Sequence, residues 1–112
     1  MVESTQKELI TLKGRLKMGI VAKTSEKSGD EYYYVPMEIN ETEKNGQKID
    51  NQFDSIILMF WKKDFDSQTQ STIASLQENQ NITVHGYLGG RDNGLLQVVE
   101  LETVDSDADM FI

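Results

Sequence analysis

Lys13, Arg15 and Lys17 stand at every second position within residues 9–24, LITLKGRLKMGIVAKT. In an extended strand residues two apart share a face, so the three cations line about 13 Å of one surface. Tyr32 and Tyr34 repeat that spacing with aromatic rings, and Trp61 is followed directly by Lys62 and Lys63. Cations strung along an edge can track phosphates, and exposed aromatic faces can stack on bases. Together these are the means by which single-stranded nucleic acid is held. Tyr87 adds a further ring, and Arg91, in a glycine-rich turn, a further phosphate contact.

The elements that must position these residues follow from periodicity. In 9–24, Ile10, Leu12, Leu16, Met18, Ile20 and Ala22 fall on one parity and Thr11, Lys13, Arg15, Lys17 and Lys23 on the other. That predicts one long half-buried strand, with Gly14 and Gly19 at a bulge or bend. After a polar loop around Gly29, YYYVPMEIN predicts a second strand in which Tyr33 shares the core parity with Val35, Met37 and Ile39, leaving Tyr32 and Tyr34 outward. Pro36 points to an edge or a bulge. Asn45-Gly46 is a strong hairpin signal leading towards a third strand, Gln52–Trp61, where Phe60 and Trp61 must lie on opposite faces.

Over Lys63–Gln77 the period changes: Phe65, Thr69, Ile73 and Leu76 repeat as on one face of a short helix, with Asp64 and Asp66 at its start, where capping and the helix dipole favour carboxylates. ITVHGYLGG and LLQVVELETV predict the last two strands, joined by the turn Arg91-Asp92-Asn93-Gly94. The class is all-β with one short helix, in the order strand-strand-strand-helix-strand-strand. That is the order of the five-stranded OB-fold barrel, which commonly binds oligonucleotides or oligosaccharides. Residues 1–104 are expected to form this domain and residues 105–112 a tail.

The chain has 112 residues, 38% hydrophobic and 27% charged, fitting one domain. No apolar run reaches membrane-spanning length, the start MVESTQKELI lacks the apolar core of a signal peptide, and there is no cysteine. These features point to the cytoplasm. The formal net charge is −8, from 19 acidic and 11 basic residues. Setting aside Asp105, Asp107 and Asp109 leaves 16 acidic against 11 basic, or −5. The body repels polyanions overall, so any anion-binding surface must be local.

At this point the sequence resembles the single-stranded-DNA-binding proteins of bacteria and their phages. ASLQENQNITVHGYLGG is similar to that family's helix end, polar turn and strand of form V-x-V-x-G-x-L, here Thr83-Val84-His85-Gly86-Tyr87-Leu88. The Gly-Arg-Leu of the first strand and an aromatic ending the third also fit. The last residues, DSDADMFI, resemble the acidic stretch with an apolar tip by which family members engage replication and repair proteins. They depart from it in that Phe111 is penultimate, Ile112 is last and no proline precedes them, and the long linker of many bacterial members is missing.

The resemblance implies a non-enzymatic protein that coats single-stranded DNA in replication, recombination or repair, as a homo-oligomer. Asp105, Asp107, Asp109, Met110, Phe111 and Ile112 then form a partner-binding tail. The competing reading is an OB-fold protein–protein adaptor that never meets DNA. An OB-fold nuclease would need clustered acids with a basic residue in one cleft. No Ser–His–Asp set or P-loop is present. With a lone histidine, His85, and no cysteine, neither a zinc site nor a cofactor is expected. Glu38, Glu41, Glu43 and Asp50 flank a hairpin that contains Lys44 and Lys48, which reads as a solvated loop.

Overall fold

The structure is a computed structural model that describes residues 9–51, 53–89 and 94–104. It has seven strands: β1 (Ile10–Leu16), β2 (Val21–Thr24), β3 (Glu31–Lys44), β4 (Gln47–Ile49), β5 (Ser55–Trp61), β6 (Asn81–Gly89) and β7 (Leu95–Val104). A 3-10 turn at Lys62–Asp64 and the helix α1 (Ser67–Ala74) lie between β5 and β6. Five strands close a ring in the order β1-β6-β7-β5-β3 and back to β1, while β2 and β4 attach to β3. All pairs are antiparallel except β5–β7.

The inward parity of each strand fills the barrel. Leu12, Leu16, Val35, Met37, Leu58, Phe60, Val84, Leu96 and Val98 are buried there, and Tyr33 joins them as its parity predicts. α1 plugs one end with Ile73, and Leu76 just beyond it is also buried. Asp66 caps the helix by accepting a 2.7 Å hydrogen bond from the Thr69 amide. The chain after the helix is tied to the end of β1, Leu16 N donating to Gln80 O and Asn79 N to Leu16 O, both at 2.9 Å. No helix among the described residues is long and apolar enough to cross a membrane.

Two glycines let the ring close tightly. A Cβ on Gly14 would stand 2.0 Å from the Glu38 carbonyl oxygen, and one on Gly86 2.2 Å from that of Gln97. Each adjoins a register shift, between Lys13 and Gly14 in the β1–β3 ladder and between His85 and Gly86 in the β6–β7 ladder. The bulge expected at Gly14 is thus present, with the extra residue on β3, because a bare backbone is needed where the strands converge.

Several predicted boundaries are corrected. The long first strand is two strands broken at 17–20, with Gly19 in the break. Met18 is 41% exposed and Ala22 is exposed as well, so the inward parity is interrupted after Leu16, with Ile20 alone of its later residues packing, partly buried, against the core. β2 pairs only with β3 and lies outside the closed ring, which leaves Ala22 no barrel interior to face. Asn45 and Gly46 do turn a two-residue hairpin, with φ of 56° and 80°, but it leads first into the short β4 rather than straight to the next long strand. The helix is shorter than its period suggested because a 3-10 turn takes up its first residues. Pro36 sits where the second edge of β3 passes from β2 to β1, and its carbonyl accepts from the Lys17 amide at 3.0 Å. Its hydrogen-free nitrogen faces that same discontinuous edge, not the β5 ladder.

Candidate nucleic-acid interface

β3 and β5 run antiparallel with Tyr33 opposite Phe60 and Tyr32 opposite Trp61. Since Phe60 is wholly buried, alternation turns Trp61 outward, where it meets Tyr32 with ring centroids 5.2 Å apart at 59°. Tyr34, two residues along, lies 6.4 Å from Tyr32. All three side chains are half-buried, so part of each is open to solvent. Lys23 Nζ on β2 sits 5.5 Å from the centre of Tyr34, and Lys63 Nζ 5.7 Å from that of Trp61, within cation–π range.

The surface continues across the barrel. Tyr34 is opposite Met59, Met59 is opposite Gln97, and Gln97 is opposite Tyr87. Four residues on four adjacent strands therefore form one row. Its three interstrand steps span about 14 Å. Tyr87 projects outward because Val84, Gly86 and, on the barrel side, Leu88 occupy the other parity of β6. Sequence reasoning missed Met59, Gln97 and Lys23 as members of this surface. Their outward parity was readable, but their neighbours depend on register.

The cations around Trp61 are paired. Lys62 Nζ donates to Glu31 Oε1 and Lys63 Nζ to Asp30 Oδ2, each at 2.9 Å. Hydrogen bonding to Glu31 raises the Lys62 pKa above its ordinary value, and the bond to Asp30 raises that of Lys63. The same Lys63 contact, then a hydrogen bond with Ser28, holds Asp30 below the usual carboxylate range. The Gln70 side-chain amide fixes this corner from α1, donating to Lys62 O at 2.7 Å and Phe65 O at 2.9 Å.

Lys13 and Arg15 occupy another side of the molecule. Both project outward from β1 as predicted, beside the far half of β3, which presents carboxylates there. Lys13 Nζ is 3.7 Å from Glu41 and 3.4 Å from Glu43, and Arg15 donates to Glu38 at 3.0 Å. The Glu41 charge is the main cause of a raised Lys13 pKa, with the Glu43 hydrogen bond next. Lys17 lies one residue past the end of β1, exposed, with no ion-pair partner among the described residues. Lys48 also reaches Glu41, at 3.6 Å, so these acids and bases neutralise one another across the β-ladders. No cluster of metal-ligating residues is found among the described residues.

His85 is built into the barrel wall: Nδ1 is 2.7 Å from Thr11 Oγ1 and Nε2 is 2.5 Å from Glu102 Oε1. An ionised carboxylate only accepts, so Nε2 carries a proton and Nδ1 can accept from the Thr11 hydroxyl. Arg91 and the tail residues Asp105, Asp107, Asp109, Met110, Phe111 and Ile112 lie outside the described residues.

No protein-family model matches the chain, and no curated protein matches its sequence. Solved structures do match its shape. The small single-stranded DNA-binding protein of Streptomyces coelicolor superposes with a TM-score of 0.61 at 13% identity, over 88% of this chain and 94% of that one. A deletion variant of the single-stranded DNA-binding protein from Thermus aquaticus gives 0.59 at 14% identity, over 89% of this chain and 42% of its own. The Plasmodium falciparum SSB, solved in complex with ssDNA, gives 0.52 at 13%, over 91% and 96%. The fold is an OB-fold. The closed five-strand ring, with its helix between the third and fourth ring strands, is the arrangement the strand order predicted. At these identities the likeness speaks for the backbone arrangement alone. What the outer face of this OB-fold does must be read from its own side chains.

Proposed function

We propose that this chain is a non-enzymatic, sequence-tolerant single-stranded DNA-binding protein of a cytoplasm, phage-encoded within a bacterial host, that coats DNA during replication or recombination. One observation carries the reading: Trp61, Tyr32 and Tyr34 form an outward aromatic cluster that continues through Met59 and Gln97 to Tyr87. Every base has a π-face, so stacking on such a row is indifferent to sequence, and nearby cations supply the backbone contacts. Lys23 lies over the Tyr34 ring and Lys63 over that of Trp61, and Lys62 follows Trp61 directly in the chain. Lys13 and Arg15, each held by glutamates on another side, are assigned a secondary part in the path, with Lys17 and Arg91 as further phosphate contacts. The structural likeness to proteins named for single-stranded DNA binding supports the same reading.

A row of about 14 Å is short beside the roughly 4–16 nucleotides an OB-fold engages. The reading therefore includes a homo-oligomer whose barrels share one strand. It also assigns the acidic segment 105–112 to recruitment: Met110, Phe111 and Ile112 enter a pocket on a replication or recombination protein while Asp105, Asp107 and Asp109 meet its basic rim. The test is a titration of intrinsic Trp61 fluorescence with oligo-dT at several salt concentrations. Saturable quenching that weakens with salt is expected. Unchanged fluorescence together with no retention of oligo-dT on a filter would overturn the reading in favour of the protein–protein adaptor.

A further inference from the structure

β3 begins directly after Asp30 with Glu31-Tyr32, and β5 ends with Trp61, followed by Lys62-Lys63. Antiparallel pairing sets Tyr32 against Trp61, so the next step out brings Glu31 to Lys62 and the one after brings Asp30 to Lys63. Both ion pairs form at 2.9 Å. The carboxylates are held by structure on both sides. Glu31 is the first residue of β3, and Asp30 closes a tight turn in which Ser25 N donates to Asp30 O and Gly29 N to Ser25 O, both at 2.8 Å. Gly29 has φ of 79°, a conformation that glycine adopts without strain. With Thr24, Gly29 and Gln70, the four charged residues line an open groove of about 480 Å³; from it Lys63 Nζ reaches the Trp61 ring at 5.7 Å, while Lys62 Nζ lies 5.4 Å from the ring of Tyr33.

We propose that Asp30 and Glu31 act as built-in competitors of the DNA backbone, occupying Lys63 and Lys62 until a strand stacked on Trp61 and Tyr32 displaces them. The inference rests on reading that stack as a single-stranded DNA platform. A carboxylate and a phosphodiester offer an ammonium the same kind of acceptor. A polyanion without bases gains only the exchange of one acceptor for another. A strand whose bases stack gains the exchange and the stacking. The two carboxylates therefore make stacking a condition of binding, and they select single-stranded nucleic acid over other polyanions in a molecule whose surface is already acidic. A neutral Lys–carboxylate pair also displaces fewer counterions from DNA than a bare lysine, which flattens the salt dependence.

The experiment compares the wild type, the double variant Asp30→Asn/Glu31→Gln and the double variant Lys62→Gln/Lys63→Gln, each confirmed folded by circular dichroism. Each is titrated with oligo-dT and with inorganic polyphosphate from low to high salt. The carboxylate variant is expected to bind oligo-dT about tenfold tighter at low salt, with a slope of log K against log salt steeper by about 1.4, or about 0.7 for each freed lysine. It should also acquire polyphosphate binding that the wild type lacks. Unchanged oligo-dT affinity and slope in that variant, alongside weakened binding in the lysine variant, would overturn the competition while leaving the DNA platform standing. If wild type and carboxylate variant alike ignore oligo-dT, the platform itself is wrong and the competition falls with it.

Discussion

Tyr32 and Trp61 lie directly opposite one another on β3 and β5, their ring centroids 5.2 Å apart. Their strand neighbours Tyr33 and Phe60 are buried opposite one another on the inner side of the same two strands. One strand pair thus supplies a core contact on one face and a candidate stacking surface on the other, and the two can be perturbed separately.

Alanine at Trp61 or Tyr34 should weaken oligo-dT binding by about 1–3 kcal/mol for each base that loses its platform. Thermal stability should change little, since both rings are only half-buried. Tyr33→Ala or Phe60→Ala should do the reverse and lower the melting temperature sharply, because each removes a buried ring. Parallel fluorescence titrations and melting curves check this. If Trp61→Ala melted the barrel but bound normally once folded, its ring would belong to the core.

The triple variant Lys13→Ala/Arg15→Ala/Lys17→Ala distinguishes the two sides of the barrel. Three free phosphate contacts would account for a slope of log K against log salt of about −2 for single strands. The ion pairs of Lys13 with Glu41 and Glu43 and of Arg15 with Glu38 reduce what those two can contribute. The expected loss is about 0.7 in slope, the share of Lys17 alone. A loss near 2, with affinity largely abolished, would route the DNA over β1.

Gly86→Ala and Gly14→Ala should each destabilise the barrel by about 1–3 kcal/mol or more, the cost of forcing atoms into a packed site. The added methyl would meet backbone carbonyls, at 2.2 Å and 2.0 Å, which cannot swing aside as a side chain can. Urea denaturation gives the figure. Gly19→Ala, where nothing lies within 4 Å of the new atom, is the control.

Asp66 fixes the acid side of the stability profile near α1. The amide hydrogen bond from Thr69 holds its carboxyl below the usual 3.8, so the folded state favours the ionised form. The stabilisation is present above that usual value and is lost as pH falls through the lowered folded value. As pH falls below 3.8 the wild type should lose stability more steeply than Asp66→Ala, which should begin less stable at neutral pH. Acid titrations monitored by circular dichroism compare the two, and parallel curves would remove the cap from the account.

Deleting residues 105–112 should leave oligo-dT binding intact or tighten it by up to about 1 kcal/mol at low salt, as the negative charges of three aspartates are removed. The same deletion should abolish capture of purified replication or recombination proteins by the immobilised chain. If it melts the domain or dissociates an oligomer, the segment is structural and recruitment is the wrong reading.

The sequence by itself determined what local stereochemistry can express. Period-two alternation buries Tyr33 and Phe60 and turns Tyr32, Tyr34 and Trp61 outward, because neighbouring side chains in a strand point to opposite faces. Asn45-Gly46 turns because glycine and asparagine accept positive φ, and Gly14 marks a bulge because only a bare backbone fits there. The order of strands and helix implied the OB-fold through the same local signals. Tertiary structure decided which outward residues meet. Lys13, Arg15 and Lys17 looked like an isolated basic stripe until the far half of β3 placed Glu38, Glu41 and Glu43 alongside Lys13 and Arg15. Met59 and Gln97 looked like ordinary surface until register set them between Tyr34 and Tyr87. The opposite charges of Asp30-Glu31 and Lys62-Lys63 were plain in the sequence, but their meeting depends on a pairing of segments about thirty residues apart, a closure governed by chain entropy and packing rather than by any local preference.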